Sequence, residues 1–394
     1  MAAPASAAFP TATLVLLGLS NFVVGMGAFL VIGILTPMAV DLGVTKAEAG
    51  LLMTIYAIVY ALSSPLLVAF TGHVERVRVL VAGMAVLSAG ALAAALAPSF
   101  PLLLVARALM ALGGGVASPV AATIGVALVA PALRGRALAL VFGGMTTAQV
   151  IGVPAGAWLG YTFGWRTAFE VVVVLGIATA AALLSAIPRG LPGQPGGLAS
   201  LAATLTELRL VAAVAFTAFF IGGLYAIFTF IGPFLEARYA LGRDGVTTAL
   251  TIFGLGAVAG SMLGGRLTDR IGPTQTLVML CVAQIVLMPI ITLIHAPLAA
   301  AIALIALWSA LGWAFMVAQQ ARLAALDPAR VSVLFALNAA AVYVGASVGS
   351  AAGAVALDRF GLDALGPAGA AMIVVALASI ALVARLPRHS GADA

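Results

Sequence analysis

The sequence predicts an all-α membrane protein with twelve transmembrane helices arranged as two pseudo-symmetric six-helix bundles. Composition is the first reason, since 64% of the 394 residues are hydrophobic and only 8% are charged. The mean hydropathy is +1.23. A soluble domain could not bury so much apolar surface, because surface grows too fast relative to volume. The second reason is that apolar stretches recur at the length of roughly 20 residues that a helix needs to cross a bilayer.

Short polar, Gly-containing or Pro-containing connections separate these apolar stretches. The predicted spans are residues 11–40, 47–71, 78–97, 101–130, 136–162, 166–187, 209–236, 245–266, 274–295, 297–321, 330–357 and 364–386. The longest polar break runs from Pro188 to Thr206. It divides the chain into an N-terminal six-helix bundle (1–188), a cytoplasmic linker (189–206) and a C-terminal six-helix bundle (207–394).

Short matches between the halves indicate a duplication. Thr54-Ile55-Tyr56 in the second span matches Thr251-Ile252-Phe253 in the eighth. Ala111-Leu112-Gly113 in the fourth span matches Ala310-Leu311-Gly312 in the tenth. The two matches share an offset of about 200 residues, as expected of an internal repeat.

Acidic residues are missing from the middle of the spans, beginning with the first. Asp41 lies at the outer end of the first span, and Glu170, Glu236 and Asp358 also lie near span ends. Proton-driven exchange needs a group that changes protonation state, usually an acid in a low-dielectric environment. Either Asp41 takes this role, opposite Arg107 of the fourth span, or proton coupling is different or absent.

Arg107 is the most unusual residue, because it lies seven positions inside the fourth span. An arginine within the membrane is unfavourable unless it is paired or hydrated, so it usually faces a cavity. The alternative is an arginine whose head group snorkels to the outer interface.

The fifth span contains Gly152, Pro154 and Gly156, followed by Gly160. Glycine at every fourth position gives one face of a helix a smooth groove for another helix. Pro154 removes a backbone hydrogen bond and is expected to bend the span.

Other polar and aromatic side chains within spans could line a central cavity. Each alone could equally be a helix–helix hydrogen bond or an interface anchor. The candidate substrate-binding residues, Arg107 included, are Asn21, Tyr56, Tyr60, Arg107, Gln149, Tyr225, Trp313 and Asn338.

A charged loop of sequence Gly-Arg-Leu-Thr-Asp-Arg-Ile-Gly, residues 265–272, joins the eighth and ninth spans. Gly265 is expected to let the two helices approach closely, and Gly272 to permit a tight turn. Asp269 can accept hydrogen bonds from the start of the next helix.

A weaker copy of this loop, residues 71–78, follows the second span. Here Glu75-Arg76 takes the place of Asp269-Arg270, with Glu instead of Asp and Thr instead of the leading Gly.

The basic residues predict the orientation in the membrane. If the N-terminus is cytoplasmic, twelve arginines flank the cytoplasmic ends of the spans and five basic residues flank the outer ends. This bias places both termini in the cytoplasm. The arginines are spread singly over many loops, which argues against binding to nucleic acid.

Several function classes are excluded by the residue inventory. His73, His295 and His389 are isolated, and Cys281 is the only cysteine, so no metal site is expected. There is no phosphate-binding Gly-Lys-Ser/Thr loop and no nucleophile–base pair. The sequence therefore predicts neither an enzyme nor a cofactor.

The two charged loops, Arg107 and the Gly-Gly-Gly run of residues 113–115 together resemble the major facilitator superfamily of secondary transporters. The first span, from Ser20 through Pro37, and the Gly-Val-Pro-Ala-Gly pattern of the fifth resemble the 12-helix drug:proton antiporter group, which includes chloramphenicol- and arabinose-type bacterial exporters. The resemblance implies alternating access in a bacterial inner membrane, with a monomer as the default. It links Arg107 to proton coupling or substrate binding, and Asp41 is the candidate proton site because it is the acid nearest to the mid-helix carboxylate that many members carry in the first span. The residues it links to conformational switching are Gly265, Asp269, Arg270, Gly272, Glu75, Arg76, Gly152, Pro154 and Gly156.

The expected function is therefore export of a small neutral or anionic amphipathic compound (drug-, sugar- or nucleoside-like) by proton antiport. Its partners would be the small-molecule substrate, protons and the lipid bilayer. Two alternatives remain open. One is a facilitator or importer of a small polar solute, in which Arg107 grips an anion. The other is a non-transporting membrane sensor.

Overall fold

The computed structural model describes residues 10–130, 133–187 and 204–386 and confirms the all-α membrane fold. Within these ranges twelve helices are long and apolar enough to cross a membrane. They are α1 (Thr11–Leu42), α2 (Lys46–Val68), α3 (Arg76–Ala95), α4 (Phe100–Ala127), α5 (Arg136–Phe163), α6 (Trp165–Ala186), α7 (Leu208–Tyr239), α8 (Arg243–Ile271), α9 (Pro273–Leu293), α10 (Leu298–Leu326), α11 (Val333–Phe360) and α12 (Leu362–Arg385). Residues 189–203 of the predicted linker lie outside the described residues.

The spans form two halves, α1–α6 and α7–α12, and α1 and α7 are the most buried of the twelve. Successive spans run in opposite directions, so the bundle has two ends. We call the end where α1 begins and α12 finishes the termini end, and the opposite one the far end. At the far end the first and last spans of each half are tied by an ion pair, Asp41–Arg166 in one half and Arg238–Asp363 in the other.

Three spans contain a local break in the α-helix. In α5 a π-helical turn, Ala148–Gly152, stands directly before Pro154. Proline cannot donate a backbone hydrogen bond, so the wider turn accommodates the missing donor. The hydrogen-bond pattern of α5 is therefore irregular beside Pro154, and the predicted bend stays a prediction. The other breaks lie between Phe228 and Ile231 in α7 and at Ala314 in α10.

Small residues bring α1 and α5 into backbone contact, as the glycine pattern predicts. A Cβ on Gly144 would overlap the carbonyl oxygen of Gly18, and one on Gly160 would overlap Ile34. On Gly156 it would lie 3.3 Å from the Cβ of Leu30. The groove along α5 therefore holds α1 inside the N-terminal half.

The same device joins α8 to α10 in the C-terminal half, whereas the predicted role of Gly265 in bringing α8 close to α9 was wrong. A Cβ on Gly260 or Gly264 would overlap a backbone carbonyl of α10, at Ala310 and Ala314 respectively. A Cβ on Gly265 would meet nothing within 4 Å. Adjacent helical residues point about 100° apart, so only one of the neighbouring glycines can face α10.

The charged loop 265–272 is shorter than predicted, because α8 continues as a helix through Ile271. Only Gly272, with φ of 85°, separates it from α9, which confirms the tight turn there. Asp269 is exposed and forms no hydrogen bond with the described residues, so its predicted contact with the start of α9 was also wrong.

The substitution Gly264→Val should destabilise the protein, since its side chain has no room beside the Ala314 carbonyl. We expect a loss of about 1–3 kcal/mol, typical of overpacking, or failure to fold. Gly265→Val is the matched control and should change stability by less than about 0.5 kcal/mol. Thermal unfolding in detergent measures both. Equal losses would contradict the α8–α10 packing.

Candidate functional site

Three pairs of spans meet across the boundary between the halves: α2 with α11, α1 with α7, and α5 with α8. A site whose access alternates between the two ends must lie along this boundary. The candidate site is therefore built from the side chains that these six spans bring together.

The contact between α2 and α11 is made by rings and hydroxyl groups. Tyr60 stacks on Tyr343, with ring centroids 3.7 Å apart and ring planes at 19°. Towards the far end, the Ser347 hydroxyl donates to the carbonyl of Thr54 at 3.1 Å. Both contacts are made through side chains, so neither one replaces a backbone hydrogen bond within α2 or α11. The two helices can consequently separate without unwinding.

A polar chain runs from α1 to this ring stack. The Ser118 hydroxyl on α4 donates to Asn21 Oδ1 on α1 at 2.5 Å, and Ser118 also interacts with Tyr60. Asn21 and Tyr60, both predicted as substrate-binding residues, thus lie in one connected group with Tyr343. Ser118 was not predicted, because serine in an apolar span is usually a packing residue.

Arg107, in the N-terminal part of α4, is fully buried on the far-end side of the same group. Its Nη2 donates to the Ala28 carbonyl at 2.8 Å, its Nε to the Leu52 carbonyl at 3.3 Å, and its Nη1 to the Gly27 carbonyl. The guanidinium also lies 4.4 Å from the ring centroid of Tyr56. The charge is therefore dispersed over backbone dipoles of α1 and α2, and the snorkelling alternative was wrong.

Asp41 does not face Arg107, so the pairing considered for them was wrong. It accepts hydrogen bonds from Arg166 Nη1 at 2.6 Å and Trp165 Nε1 at 3.0 Å. Both partners are the first residues of α6, which starts at the far end where α1 finishes. Arg107 is held deeper in the bundle, against Gly27 and Ala28 of α1.

The remaining predicted residues are spread over both halves. Gln149 belongs to the π-helical turn of α5, where the backbone of α8 comes close: a Cβ on Gly254 would lie 2.6 Å from Val150 Cα. Tyr225 is buried between Phe29 and Phe228, its ring centroid 6.5 Å from that of Phe29 across the boundary.

In the C-terminal half Asn338 of α11 accepts a hydrogen bond from Thr217 of α7 at 2.5 Å. The Trp313 indole nitrogen and the Tyr56 hydroxyl are buried and have no hydrogen-bond partner in the described parts of the chain. Buried donors of this kind usually have a partner. They share this property with Thr54 Oγ1 and Ser63 Oγ of α2, so all four have hydrogen-bonding capacity left for a substrate.

The residues predicted for conformational switching fall into two places. Gly152, Pro154 and Gly156 lie at the α1–α5 contact already described. The charged set lies at the termini end, where Glu75 pairs with Arg78 at 2.7 Å and Arg76 is buried. Asp269 and Arg270 are exposed and form no ion pair with the described residues.

A carboxylate at the far end joins the two halves. Glu236 of α7 accepts hydrogen bonds from Thr36 of α1, at 2.5 Å, and from Tyr161 of α5. Lys46 of α2 lies 3.8 Å from the same carboxylate, whose side chain is only 15% exposed. We call these four residues the Glu236 latch. Nearby, Arg243 of α8 donates to Thr162 of α5 at 3.2 Å.

Sequence reasoning placed Glu236 at a span end and gave it no role. The predicted seventh span stopped at residue 236, whereas α7 extends to Tyr239 and carries Glu236 inside its last turn. There was only a weak indication of this extra turn in the sequence. The three partners come from other spans, so their approach could not be read from the sequence.

Most basic residues of the far end pair with a carboxylate, whereas at the termini end Arg78 and Arg330 do so and several other arginines do not. At the far end Lys46, Arg166, Arg238 and Arg243 each pair with a carboxylate. At the termini end several arginines form no ion pair with the described residues. They are Arg209, Arg266, Arg270, Arg322 and Arg385.

Comparisons with known proteins agree on one family. The family model of the Major Facilitator Superfamily matches residues 17–350. The uncharacterized MFS-type transporter YbcL of Bacillus subtilis is 28% identical over 93% of this chain and 94% of its own. A chloramphenicol resistance protein of Streptomyces lividans is 35% identical over 67% of this chain and 68% of its own.

A solved structure has the same fold. It is a bacterial homolog of the human lysosomal transporter Spinster in an inward-facing, occupied conformation. It aligns over 98% of this chain and all of its own, with a TM-score of 0.81 and 18% identity.

The geometry of Arg107 predicts that its first effect is on stability. In Arg107→Lys, one ammonium cannot reach the three carbonyls that the guanidinium fork reaches. We expect a loss of about 2–4 kcal/mol, since hydrogen bonds to charged groups contribute about 1.5–3 kcal/mol each. Arg166→Lys, at a partly exposed ion pair, should lose less than about 1 kcal/mol. Unfolding of both variants in detergent checks this. A fully stable Arg107→Lys that fails to bind substrate would instead make Arg107 a substrate ligand.

Proposed function

Because the chain belongs to the Major Facilitator Superfamily, we propose that it is a secondary transporter that exports a small neutral or anionic amphipathic compound in exchange for protons. Transport would proceed by alternating access, with the two halves rocking about a site near the middle of the membrane. The observation that carries this proposal is the Glu236 latch. The carboxylate of Glu236 can take up a proton, and the side chains that contact it belong to the opposite half.

The contacts across the boundary support alternating access. The Tyr60–Tyr343 stack lies near the middle, and the Glu236 latch and the Arg243–Thr162 bond lie at the far end. The unpaired arginines of the termini end favour a cytoplasmic location for that end in a bacterial inner membrane, by the positive-inside rule. With this orientation the described state is closed towards the outside.

The chemical class of the transported compound is inferred from the polar and charged groups in the interior. Tyr56 and Trp313 supply buried donors, and Gln149 lies at the boundary. None of the carboxylates among the described residues lies in the middle of a span, so a cationic compound would lack a counter-charge there. Resemblance to a chloramphenicol resistance protein favours export and an amphipathic, uncharged cargo.

Glu236 fits the role of the proton-exchanging group better than Asp41 does. Opening the far end would remove Thr36, Tyr161 and Lys46 from its carboxylate. A charged acceptor loses more on opening than a protonated one, because charge-assisted hydrogen bonds are about twice as strong as neutral ones. Protonation and conformation are then linked. Asp41 keeps its partners within one half, so its protonation would affect opening less.

Two other functions remain as alternatives. A facilitator or importer of a small polar solute would move cargo with no proton signal. A non-transporting sensor would bind a compound without flux.

Purified protein in liposomes loaded with a pH-sensitive dye tests the proposal. Phenicols, sugars and nucleosides would be added in turn, and an accepted compound should produce a proton movement opposite to its own. We expect Glu236→Gln to abolish this movement and Asp41→Asn to retain at least about half of it, since substitutions away from critical contacts are usually mild. Flux with no proton signal would reject antiport, and binding with no flux would reject transport.

Cysteine labelling tests the Glu236 latch separately. Cys281 would be replaced by Ser, and Ser350, which is buried in the α2–α11 contact, by Cys. In this background Glu236→Gln should raise the rate of labelling by a membrane-impermeant maleimide several-fold, because a weaker latch opens more often. The effect is bounded by the ~1.5–3 kcal/mol of a hydrogen bond to a charged group. Asp41→Asn is the matched control at the same end and should leave the rate unchanged. An equal rise in both variants would show that Glu236 has no special part in closing the far end.

A further inference from the structure

A cavity of about 430 Å³ opens at the termini end of the C-terminal half. It lies among the start of α7, the start of α9 and the final turns of α10 and α12. Its lining includes Arg209, Thr274, Arg322, Leu326, Ile380 and Val383. All of them belong to one half, so the cavity does not depend on contacts between the halves.

Two arginines face this cavity with hydrogen-bonding capacity unused. Arg322 is only 5% exposed, and its Nη1 has no hydrogen-bond partner among the described residues. Its guanidinium lies 5.8 Å from the ring centroid of Phe216, a weak cation–π distance. The Nε of Arg209 is also buried without a partner. Two cations that share a cavity repel each other unless an anion lies between them.

The carboxylates of this corner are already engaged by a third arginine. Arg330 donates to Glu207 Oε2 at 2.5 Å and to Asp327 Oδ2 at 2.6 Å. Glu207 stands two positions before Arg209, and Asp327 follows the last turn of α10. Within the described part of the chain, Arg209 and Arg322 consequently have no carboxylate partner.

The start of α9 adds backbone donors to the same cavity. This helix of 21 residues begins at Pro273 and has no side-chain cap. The first amides of a helix lack internal acceptors and carry the positive end of the helix dipole. Thr274, in this first turn, lines the cavity. Such a terminus favours an anion.

The rest of the lining is largely apolar and includes Ile380 and Val383 of α12 and Leu326 of α10. A guanidinium pair beside an apolar wall matches a ligand with an oxyanion at one end and hydrocarbon at the other. Arginine binds phosphate oxygens in a bidentate manner, which suits a tetrahedral oxyanion.

We propose that this cavity binds an oxyanion of the phosphate type between Arg209, Arg322 and the start of α9. The phosphate belongs either to the head group of an anionic phospholipid, whose glycerol and acyl carbons lie on the α12 wall, or to inorganic phosphate from solution. The site is distinct from the candidate transport site, and its occupancy neutralises the two arginines.

Thermal unfolding of the full-length protein in detergent tests the site. One arm titrates sodium phosphate against sodium chloride at equal ionic strength. A second arm titrates dioleoylphosphatidylglycerol against dioleoylglycerol, which lacks the phosphate. We expect a saturable rise in Tm in at least one arm. A response to phosphatidylglycerol alone identifies the lipid as the source, and a response to inorganic phosphate identifies the free anion.

Substitutions then locate the binding. Arg209→Gln and Arg322→Gln should each weaken the apparent affinity at least about tenfold, as expected when one charge-assisted contact is lost. Arg266→Gln, at an exposed arginine of the same end, should leave it unchanged. If Arg322→Gln does not fold, Arg209→Gln, at a half-exposed residue, decides alone. A response no greater than that of chloride or dioleoylglycerol, or a saturable response that survives Arg209→Gln, overturns the proposal.

Discussion

The lack of water in the bilayer core is the constraint on which this structure depends. Helices gain little from burying apolar side chains against one another there, so they associate by close packing and internal hydrogen bonds. Glycine at the contacts meets this requirement in both halves: Gly144 lies against Gly18, and Gly260 lies against Ala310. Such backbone-to-backbone contacts leave the paired helices no space to slide past each other. Each half is consequently expected to move as one body.

The boundary between the halves is built from different chemistry. Its contacts are serine hydroxyls, a tyrosine stack and the Glu236 latch. Side-chain hydrogen bonds can be exchanged for water or for new partners, whereas interlocked backbones cannot. A close backbone approach across the boundary, Gly254 against Val150, occurs at the π-helical turn of α5. Firm packing within halves and exchangeable contacts between them are what a rocking motion requires.

The sequence was sufficient for the twelve spans, for the missing hydrogen bond of α5 at Pro154 and for the turn at Gly272, because each depends on local pattern. It was not sufficient to show that Gly264, and not Gly265, makes the close helix contact of α8. That choice depends on the rotation of α8 against its neighbour, and adjacent glycines look the same in a sequence. The sequence placed Arg107 within a span, facing a cavity or snorkelling, but did not reveal its carbonyl partners, because the fold brings them from α1 and α2.

Arg107 and Glu236 together show which kind of charged group can couple to motion. Arg107 is satisfied by carbonyls of α1 and α2, which belong to its own half. Its surroundings would therefore stay the same when the halves rock, and its interactions would favour neither state. Glu236 takes all its partners from the other half. Its stabilisation exists in one state only, so any change in its charge shifts the balance between states. A carboxylate at the end of a span can thus have more influence on transport than an arginine at its centre.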